Sequence, residues 1–172
     1  PKDEFVDSSG RGLYGDFVTQ IDWMTGEVHK QLKHLGIDEN TLILFASDNG
    51  SPMYSRNSMT YPDHVTDETL DYYNEDNHRA NSHLRGIKGD VYEGGHRVPF
   101  VVHWPAGIPA SAKTSEAICL TDIYATLVDI TGGTKPAGNA EDSYSFASFL
   151  SGENRARNRP PIIHHAGGAG MY

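Results

Sequence analysis

The sequence has little of what marks a disulfide-stabilised, membrane-spanning or nucleic-acid-binding protein. Its 172 residues include one cysteine, Cys119, so no disulfide can form within the chain. No apolar run approaches the roughly 20 residues that a membrane-spanning helix needs. Positive charge is also scarce, because 14 lysine and arginine residues stand against 23 aspartate and glutamate residues and give a net charge of -9. This charge disfavours nucleic acid or an anionic membrane as a partner, so an anionic ligand would need a local positive site.

What is present is enough for one hydrophobic core. Apolar residues make up 37% of the sequence, so one domain is the default expectation for a chain of this length. The sequence begins at Pro1 without an initiator methionine and stops at Tyr172, soon after a glycine-rich stretch. We interpret both ends as cut, which would make the chain part of a longer protein.

The pattern of apolar residues predicts alternating helices and strands. Residues 16–35 carry apolar side chains every three or four positions, which indicates an amphipathic α-helix with Asp16 as its cap and Gly36 as its stop. The continuous apolar run at residues 41–46 is typical of a strand that is buried on both faces of a parallel sheet. A helix followed by a buried strand predicts an α/β fold.

The later part of the chain is less regular. Residues 47–83 are polar and aromatic, which predicts a long loop, functional or disordered, with room for a short helix at residues 66–73. Pro99 indicates the start of a strand or a sheet edge. Further elements are expected as a strand at 98–103, a short strand at 117–120, a helix at 123–130 capped by Thr121 and Asp122, and a short helix near 145–150.

The tripeptide Asp48-Asn49-Gly50 directly follows the predicted buried strand. Asn-Gly between apolar runs is a strong signal for a hairpin turn. However, the residues after Gly50 are polar and offer no partner strand, and ligands of open α/β sheets gather at the carboxyl ends of strands. A carboxylate and an amide oxygen in that place suit Ca²⁺ or Mg²⁺, although two ligands do not complete a site. From the residues alone, both interpretations stay open.

A second candidate site surrounds Lys88, which has Gly86 and Gly89 on either side and Arg85 and His83 nearby. Glycines let the backbone approach a ligand closely, and an ammonium group suits a tetrahedral oxyanion. A solvated loop with ordinary surface charges is the alternative interpretation.

Histidines near this loop and near the end of the chain are weaker candidates. Glu93 and Arg97 are expected to pair and to brace their loop, whereas the role of His96 between them is undecided. His164 and His165 are adjacent, and neighbouring side chains on a strand point to opposite faces. At most one of these two is expected to face a site.

Five short segments of the sequence occur in a characteristic order. They are Ser9-Gly10-Arg11-Gly12 through Tyr14-Gly15-Asp16, Ser47-Asp48-Asn49-Gly50, Arg85-Gly86-Ile87-Lys88-Gly89, Tyr92-Glu93-Gly94-Gly95-His96-Arg97-Val98-Pro99, and Thr121-Asp122-Ile123-Tyr124-Ala125-Thr126-Leu127. Their order and content resemble the formylglycine-dependent sulfatases, including the arylsulfatases. The resemblance runs over most of residues 9–152, and the joint occurrence of Asp-Asn-Gly and Lys-Gly-x-x-x-Glu-Gly-Gly is highly specific to that family.

The resemblance implies an alkaline-phosphatase-like α/β fold, present here in part, with a mainly parallel sheet flanked by helices. It implies that residues 1–140 are the C-terminal half of the catalytic domain and that residues 141–172 begin a C-terminal subdomain. The expected activity is hydrolysis of sulfate esters, as in a sulfuric ester hydrolase.

The resemblance also implies roles for particular residues. Asp48 and Asn49 match the second pair of ligands of a Ca²⁺ ion that lies beside the reacting sulfate. Lys88 matches the catalytic lysine that contacts the sulfate group. Arg85 and His96 are expected to contribute to substrate binding.

The family's nucleophile is absent from this chain. It lies in a Cys-x-Pro-x-Arg motif whose cysteine is oxidised to formylglycine, whereas Cys119 is followed by Leu120, Thr121, Asp122 and Ile123. The apolar context of Cys119 predicts a packed core thiol instead. We expect the formylglycine and the first acidic metal pair to lie in a missing N-terminal half of the same domain, so the isolated chain is expected to be inactive.

Substrate and location follow only from the resemblance. The expected substrate is a sulfated small molecule or glycan, with no nucleic-acid partner and no membrane span, and family habit favours the periplasm, secretion or the lysosome. A phosphatase of the same fold is disfavoured, because the added histidine ligands of a two-metal site cannot be placed. A non-catalytic, sulfatase-like module that binds calcium or carbohydrate is the alternative.

Overall fold

The computed structural model describes residues 1–51, 80–152 and 159–165 of the chain. Helices and strands alternate along it, which confirms the α/β prediction. In chain order the elements are a 3₁₀ turn (Asp3–Phe5), helix α1 (Gly12–His34), a 3₁₀ turn (Asp38–Asn40), strand β1 (Ile43–Ala46), helix α2 (Glu93–His96), strand β2 (Phe100–His103), helix α3 (Asp122–Ile130) and helix α4 (Ala147–Leu150).

Strands β1 and β2 are hydrogen-bonded neighbours in a two-stranded sheet. The chain divides into two compact units: unit 1 comprises Pro1–Gly36, Phe45–Phe100 and His164–Tyr172, and unit 2 comprises Ile37–Leu44 and Val101–Ile163. Every residue predicted to bind metal or substrate therefore belongs to unit 1. Within the described ranges, no helix is both long enough and apolar enough to cross a membrane.

Helix α1 is the predicted amphipathic helix, and it starts earlier than expected. It begins at Gly12, about one turn before the predicted start, and ends at His34. Gly36 follows in the left-handed region with a φ of +68°, as expected of a glycine that stops a helix. Lys33 and His34 occupy the last turn, where cations suit the negative end of the helix dipole.

The prediction that Asp16 caps α1 is wrong. Asp16 lies within the helix, and its side chain accepts hydrogen bonds from the loop that precedes the helix. Asp16 Oδ2 accepts the Asp7 N–H at 2.9 Å, while Oδ1 accepts the Ser9 N–H at 2.9 Å and the Ser9 hydroxyl at 2.6 Å. The residue is 1% exposed. These bonds, with the Ser9 hydroxyl first among them, favour the charged form and hold the pKa of Asp16 below its ordinary value of 3.8.

We expect Asp16→Asn to lower the Tm at neutral pH and to weaken the dependence of stability on acid. Because the folded-state pKa is below the unfolded value of 3.8, the carboxylate stabilises the native state above that pH. This stabilisation is lost as the pH falls through the folded-state pKa. Thermal unfolding from neutral to strongly acid pH should show the two proteins converging, with the exposed Asp22→Asn on α1 as a control; a constant difference would contradict this role.

Both strands are shorter than the sequence predicts. Strand β1 begins at Ile43 rather than at residue 41, and its side chains are half-buried or exposed rather than buried on both faces. Strand β2 begins at Phe100, directly after Pro99. Proline has no N–H to donate, so it is confined to the start or edge of a strand, as expected here.

The strand predicted at residues 117–120 is wrong, because Asp122 turns the backbone there. Asp122 Oδ2 accepts the Cys119 N–H at 3.0 Å, and the Asp122 N–H donates to Cys119 O at 2.9 Å. The turn leads directly into α3, which contains the predicted helix. Thr121 was expected to cap this helix, but it makes no capping hydrogen bond through its side chain.

Helix α4 confirms the short helix predicted near residues 145–150, although it begins at Ala147. The helix predicted at residues 66–73 lies outside the described residues, as does most of the polar and aromatic stretch around it.

Asp122 is the centre of a buried network in unit 2. It is 0% exposed, and its Oδ1 accepts the Tyr144 N–H at 3.0 Å. Arg159 donates from Nε to Oδ2 at 3.0 Å and from Nη2 to Oδ1 at 3.2 Å, with 12% of its side chain exposed. This fork-to-fork ion pair ties residue 159 to the start of α3.

We expect Asp122→Ala to destabilise the protein by about 3–5 kcal/mol, because it leaves the buried Arg159 guanidinium without its partner. Denaturation by urea, followed by circular dichroism, measures the loss. The exposed Asp129→Ala on the same helix is the matched control and should change stability by less than about 0.5 kcal/mol. Equal effects of the two substitutions would contradict a stabilising role for the ion pair.

The apolar face of α1 is uncovered within the part of the chain that the structure describes. There, α1 packs against no regular element other than the 3₁₀ turn Asp3–Phe5. Residues at this spacing lie on one side of a helix. Four of them are Phe17, Met24, Val28 and Leu35, with exposures of 47%, 52%, 56% and 58%.

Candidate functional site

Two loops of unit 1 carry the predicted site residues, and hydrogen bonds join them. One segment is the loop that follows β1, and the other is the loop that leads into α2 together with α2, which carries Gly95 and His96. The Gly50 N–H donates to Gly95 O at 3.0 Å, and the Lys88 N–H donates to Ser51 O at 3.1 Å. The structure thus brings together two segments that the sequence identified separately. We call the contact of Gly50 and Ser51 with Lys88 and Gly95 the loop junction.

Asn81 strengthens the loop junction and was not anticipated. Its Oδ1 accepts the Ser51 N–H at 2.8 Å, and its Nδ2 lies 2.9 Å from Ser51 O and 3.2 Å from Gly86 O. One side chain therefore bonds to both loops. In the sequence, Asn81 lies in a polar stretch without periodicity, so no local signal distinguishes it from its neighbours.

The loop junction requires glycine at three positions. A Cβ on Gly50 would lie 1.6 Å from Gly94 O, one on Gly94 would lie 2.0 Å from Gly86 O, and one on Gly95 would lie 2.4 Å from Asp90 O. Backbone oxygens cannot rotate away as a flexible side chain can. The Glu-Gly-Gly segment therefore permits close packing of backbone against backbone.

A hairpin with a type I′ turn at Asn49-Gly50 is excluded. A type I′ turn needs a positive φ at both central residues, and neither Asn49 nor Gly50 has one. Gly50 instead donates its N–H across the loop junction.

We expect Gly50→Ala to destabilise the protein by more than the roughly 1–3 kcal/mol of a typical overpacked site, because the new Cβ meets immobile backbone. Gly26→Ala is the matched control: Gly26 lies within α1 with nothing within 4 Å of an added Cβ. That substitution should stabilise the helix by about 0.5–1 kcal/mol. Urea denaturation measures both changes, and a Gly50→Ala protein as stable as the wild type would refute the packing argument.

Asp48 and Asn49 present oxygen atoms that suit a hard cation. Asp48 is exposed, and its Oδ1 accepts the Asn49 N–H at 3.0 Å. Asn49 Nδ2 lies 3.2 Å from Gly50 O as a donor, which leaves the amide oxygen available as a ligand. Among the described residues, no group of three or more His, Cys, Asp or Glu side chains is placed to hold a metal ion. The assignment of Asp48 and Asn49 as metal ligands stays a prediction, and two such residues would not complete a site.

Lys88 lies in a tight turn. The Ile87 N–H donates to Asp90 Oδ2 at 3.0 Å, and the Asp90 N–H donates to Ile87 O at 2.9 Å. Gly86 and Gly89 have φ values of +84° and +90°, which side chains rarely adopt. The Lys88 side chain is exposed and has no ion-pair partner within the described ranges. Its ammonium group is therefore free to meet an anion.

Two arginines near Lys88 are engaged with neighbours. The Arg85 guanidinium lies over the Tyr92 ring, 3.8 Å from its centroid, in a cation–π contact. Arg97 Nη1 lies 3.2 Å from Glu93 Oε1, which confirms the predicted ion pair. Both partners of that pair are largely exposed, so it braces α2 and contributes little stability.

His96 stacks on His164, a contact that the sequence did not reveal. Their ring centroids are 4.3 Å apart, with the planes tilted by 35°. His96 Nε2 is buried and has no hydrogen-bond partner within the described part of the chain. Burial, followed by the positive charge of His96, lowers the pKa of His164. His165 is exposed.

Comparison with known proteins identifies the family. The sulfatase family model matches residues 2–133. Arylsulfatase D of Homo sapiens is 30% identical over 168 residues, which cover 95% of this chain and 25% of that protein. N-acetylgalactosamine-6-O-sulfatase of Bacteroides thetaiotaomicron is 32% identical over 154 residues, which cover 90% of this chain and 28% of that protein. The chain belongs to the sulfatase family.

Solved structures show the same fold. A structure from work on the metabolism of multiple glycosaminoglycans by Bacteroides thetaiotaomicron has a TM-score of 0.76 and 31% identity, covering 90% of this chain and 30% of that one. The PsFucS1 sulfatase from Pseudoalteromonas sp. has a TM-score of 0.73 and 29% identity, covering 96% of this chain and 30% of that one. These likenesses confirm the alkaline-phosphatase-like fold, and the chain spans about a quarter to a third of the relatives' lengths.

Proposed function

We propose that the protein hydrolyses sulfate esters and that this chain supplies part of its active site. In this proposal Asp48 and Asn49 are two ligands of a Ca²⁺ ion, and Lys88 contacts the sulfate group. Arg85 and His96 bind other parts of the substrate. Family membership supports the class of reaction, and the meeting of these segments at one junction supports the roles of the residues.

The hydrogen bond from the Lys88 N–H to Ser51 O carries the proposal. It holds the Lys88 loop against the loop that presents Asp48 and Asn49, at 3.1 Å between the two backbone atoms. A cation site and an ammonium group on adjoining loops can contact different oxygens of one sulfate group. Such a site supplies the local positive charge that an anionic substrate needs in a chain with a net charge of -9.

The donor set fits Ca²⁺ but does not complete its coordination. Ca²⁺ takes about six to eight oxygen ligands, and a carboxylate and an amide oxygen are of the preferred type. A bound ion would screen the charge of the sulfate and stabilise the charge that grows on oxygen as the S–O bond breaks. The turn around Lys88 would hold its ammonium group ready to hydrogen-bond a sulfate oxygen.

The nucleophile belongs elsewhere in the protein. Cys119 is half-buried, lacks the Pro-x-Arg continuation, and donates its N–H to the buried Asp122 carboxylate. These features fit a residue of the folded core rather than one that attacks a substrate. We propose that a formylglycine outside these 172 residues attacks the sulfur.

The exposed face of α1 fits a partner within the same domain. Its large apolar side chains are about half exposed, and apolar stripes of this kind mark surfaces that another polypeptide covers. The relatives are three to four times longer than the stretch they share with this chain, as the coverage of 25% to 30% requires. We propose that the remainder of the catalytic domain packs there.

We expect Lys88→Met to lower kcat/KM for 4-nitrophenyl sulfate on the order of 10²- to 10³-fold in the full-length protein, because it removes a group that stabilises charge in the transition state. Release of 4-nitrophenol measures the rate. Lys113→Met is the matched control, because Lys113 is also exposed but lies in unit 2, and this protein should keep wild-type activity. A Lys88→Met protein with wild-type kinetics would remove Lys88 from the site.

Calcium binding is tested by stability. With Ca²⁺ at a hundred times its Kd, binding to the native state adds about 2.7 kcal/mol, which raises the Tm. We expect Asp48→Ala to abolish this rise and the exposed Asp22→Ala to keep it. A Ca²⁺ response that survives Asp48→Ala would exclude Asp48 as a ligand. A wild-type protein that responds to Ca²⁺ but releases no sulfate from any ester would instead support a non-catalytic binding module.

A further inference from the structure

We propose that His164 is a positioning residue of the sulfate site and that it acts by holding the ring of His96. The inference rests on the proposed function, in which His96 binds substrate. His164 is distant in sequence from the residues of the loop junction, and it belongs to none of the five segments that resemble the family.

The backbone of His96 is held by the loop junction, but its ring is not. The preceding residue, Gly95, accepts the Gly50 N–H through its carbonyl oxygen at 3.0 Å. Because a Cβ on Gly95 would meet Asp90 O at 2.4 Å, the backbone there is closely packed. These backbone contacts do not fix the side-chain torsion angles of His96, so its ring needs a further contact to hold one orientation.

His164 supplies the contact that sets this rotation. The two rings face each other with centroids 4.3 Å apart and a tilt of 35°. No hydrogen bond to His96 Nε2 competes with this contact within the described residues, although the atom is buried. Fixing a side chain before binding lowers the entropy that the ligand must overcome.

His96 Nε2 is enclosed in the folded chain, so the ring of His96 is packed rather than free in solvent. Imidazole has two ring nitrogens, and an imidazole N–H is a suitable donor to an oxygen atom of a sulfate ester, which accepts the hydrogen bond. Burial of His164 lowers its pKa and favours its neutral form, so the stack does not require two positive charges side by side.

The first test measures the binding of inorganic sulfate to the full-length protein by titration calorimetry, which needs no turnover. We expect His164→Ala to raise the Kd for sulfate roughly tenfold, because the His96 ring loses its support. His164→Phe keeps a flat ring at the same place and should restore most of the affinity. His165→Ala is the control on the exposed neighbouring histidine. A Kd for His164→Ala equal to that of the wild type would overturn the proposal.

The second test is a double-mutant cycle. If His164 acts through His96, then His164→Ala should raise the KM for 4-nitrophenyl sulfate in the wild type and should have no further effect in a His96→Ala background. The value of kcat should change less than KM, because the affected interaction is one of binding. Equal effects of His164→Ala in the two backgrounds would show that it does not act through His96.

The outcomes separate this inference from the proposed function. A wild-type protein that releases no sulfate refutes the enzyme proposal, while the calorimetric comparison still decides the role of His164. A protein that hydrolyses the ester with the same sulfate affinity and KM in wild type and His164→Ala keeps the proposed function and refutes the inference.

Discussion

The candidate site depends on one close contact between two stretches of backbone. Gly50 lies against Gly94 and Gly95 so tightly that no Cβ fits between them. That contact aligns the Gly50 N–H with the carbonyl oxygen of Gly95 and brings the next residue, Ser51, within hydrogen-bonding distance of Lys88. The segment that carries Asp48 and Asn49 and the loop that carries Lys88 are thus placed by main-chain atoms, which have few degrees of freedom. The side chains of Asp48 and Lys88 are left exposed.

Two buried carboxylates, elsewhere in the chain, also hold irregular backbone in place. Asp16 accepts hydrogen bonds from the loop that precedes α1. Asp122 accepts hydrogen bonds from Cys119 and Tyr144 and forms a paired contact with Arg159. Each carboxylate is enclosed and accepts several hydrogen bonds, so it orders irregular backbone that has no regular hydrogen-bond pattern of its own. Both lie in segments that identify the family, which means that part of this motif pattern reflects architecture rather than catalysis.

The spacing of apolar residues predicted where the larger helices and strands lie, but not where they begin and end. The apolar repeat identified α1 but not its earlier start at Gly12, because Gly12 and Gly15 have low helix propensity, even though Leu13 stands four residues before Phe17 and continues the repeat. The apolar residues at 117–120 suggested a strand, whereas the Asp122 side chain bonds to the backbone and turns it. A side chain that bonds to a nearby backbone group competes with regular structure, and hydropathy carries no signal of that competition.

For the site, the sequence by itself determined the family, the fold class and the residues with suitable chemistry, because the spacing of Asp48-Asn49-Gly50 and the Lys88 segment is read directly along the chain. Only the tertiary structure decided which of them meet. The bond between Lys88 and Ser51, the double role of Asn81 and the stack of His96 on His164 join residues distant in sequence. Such contacts depend on how the backbone folds back on itself, and one sequence without its fold contains no local pattern that specifies them.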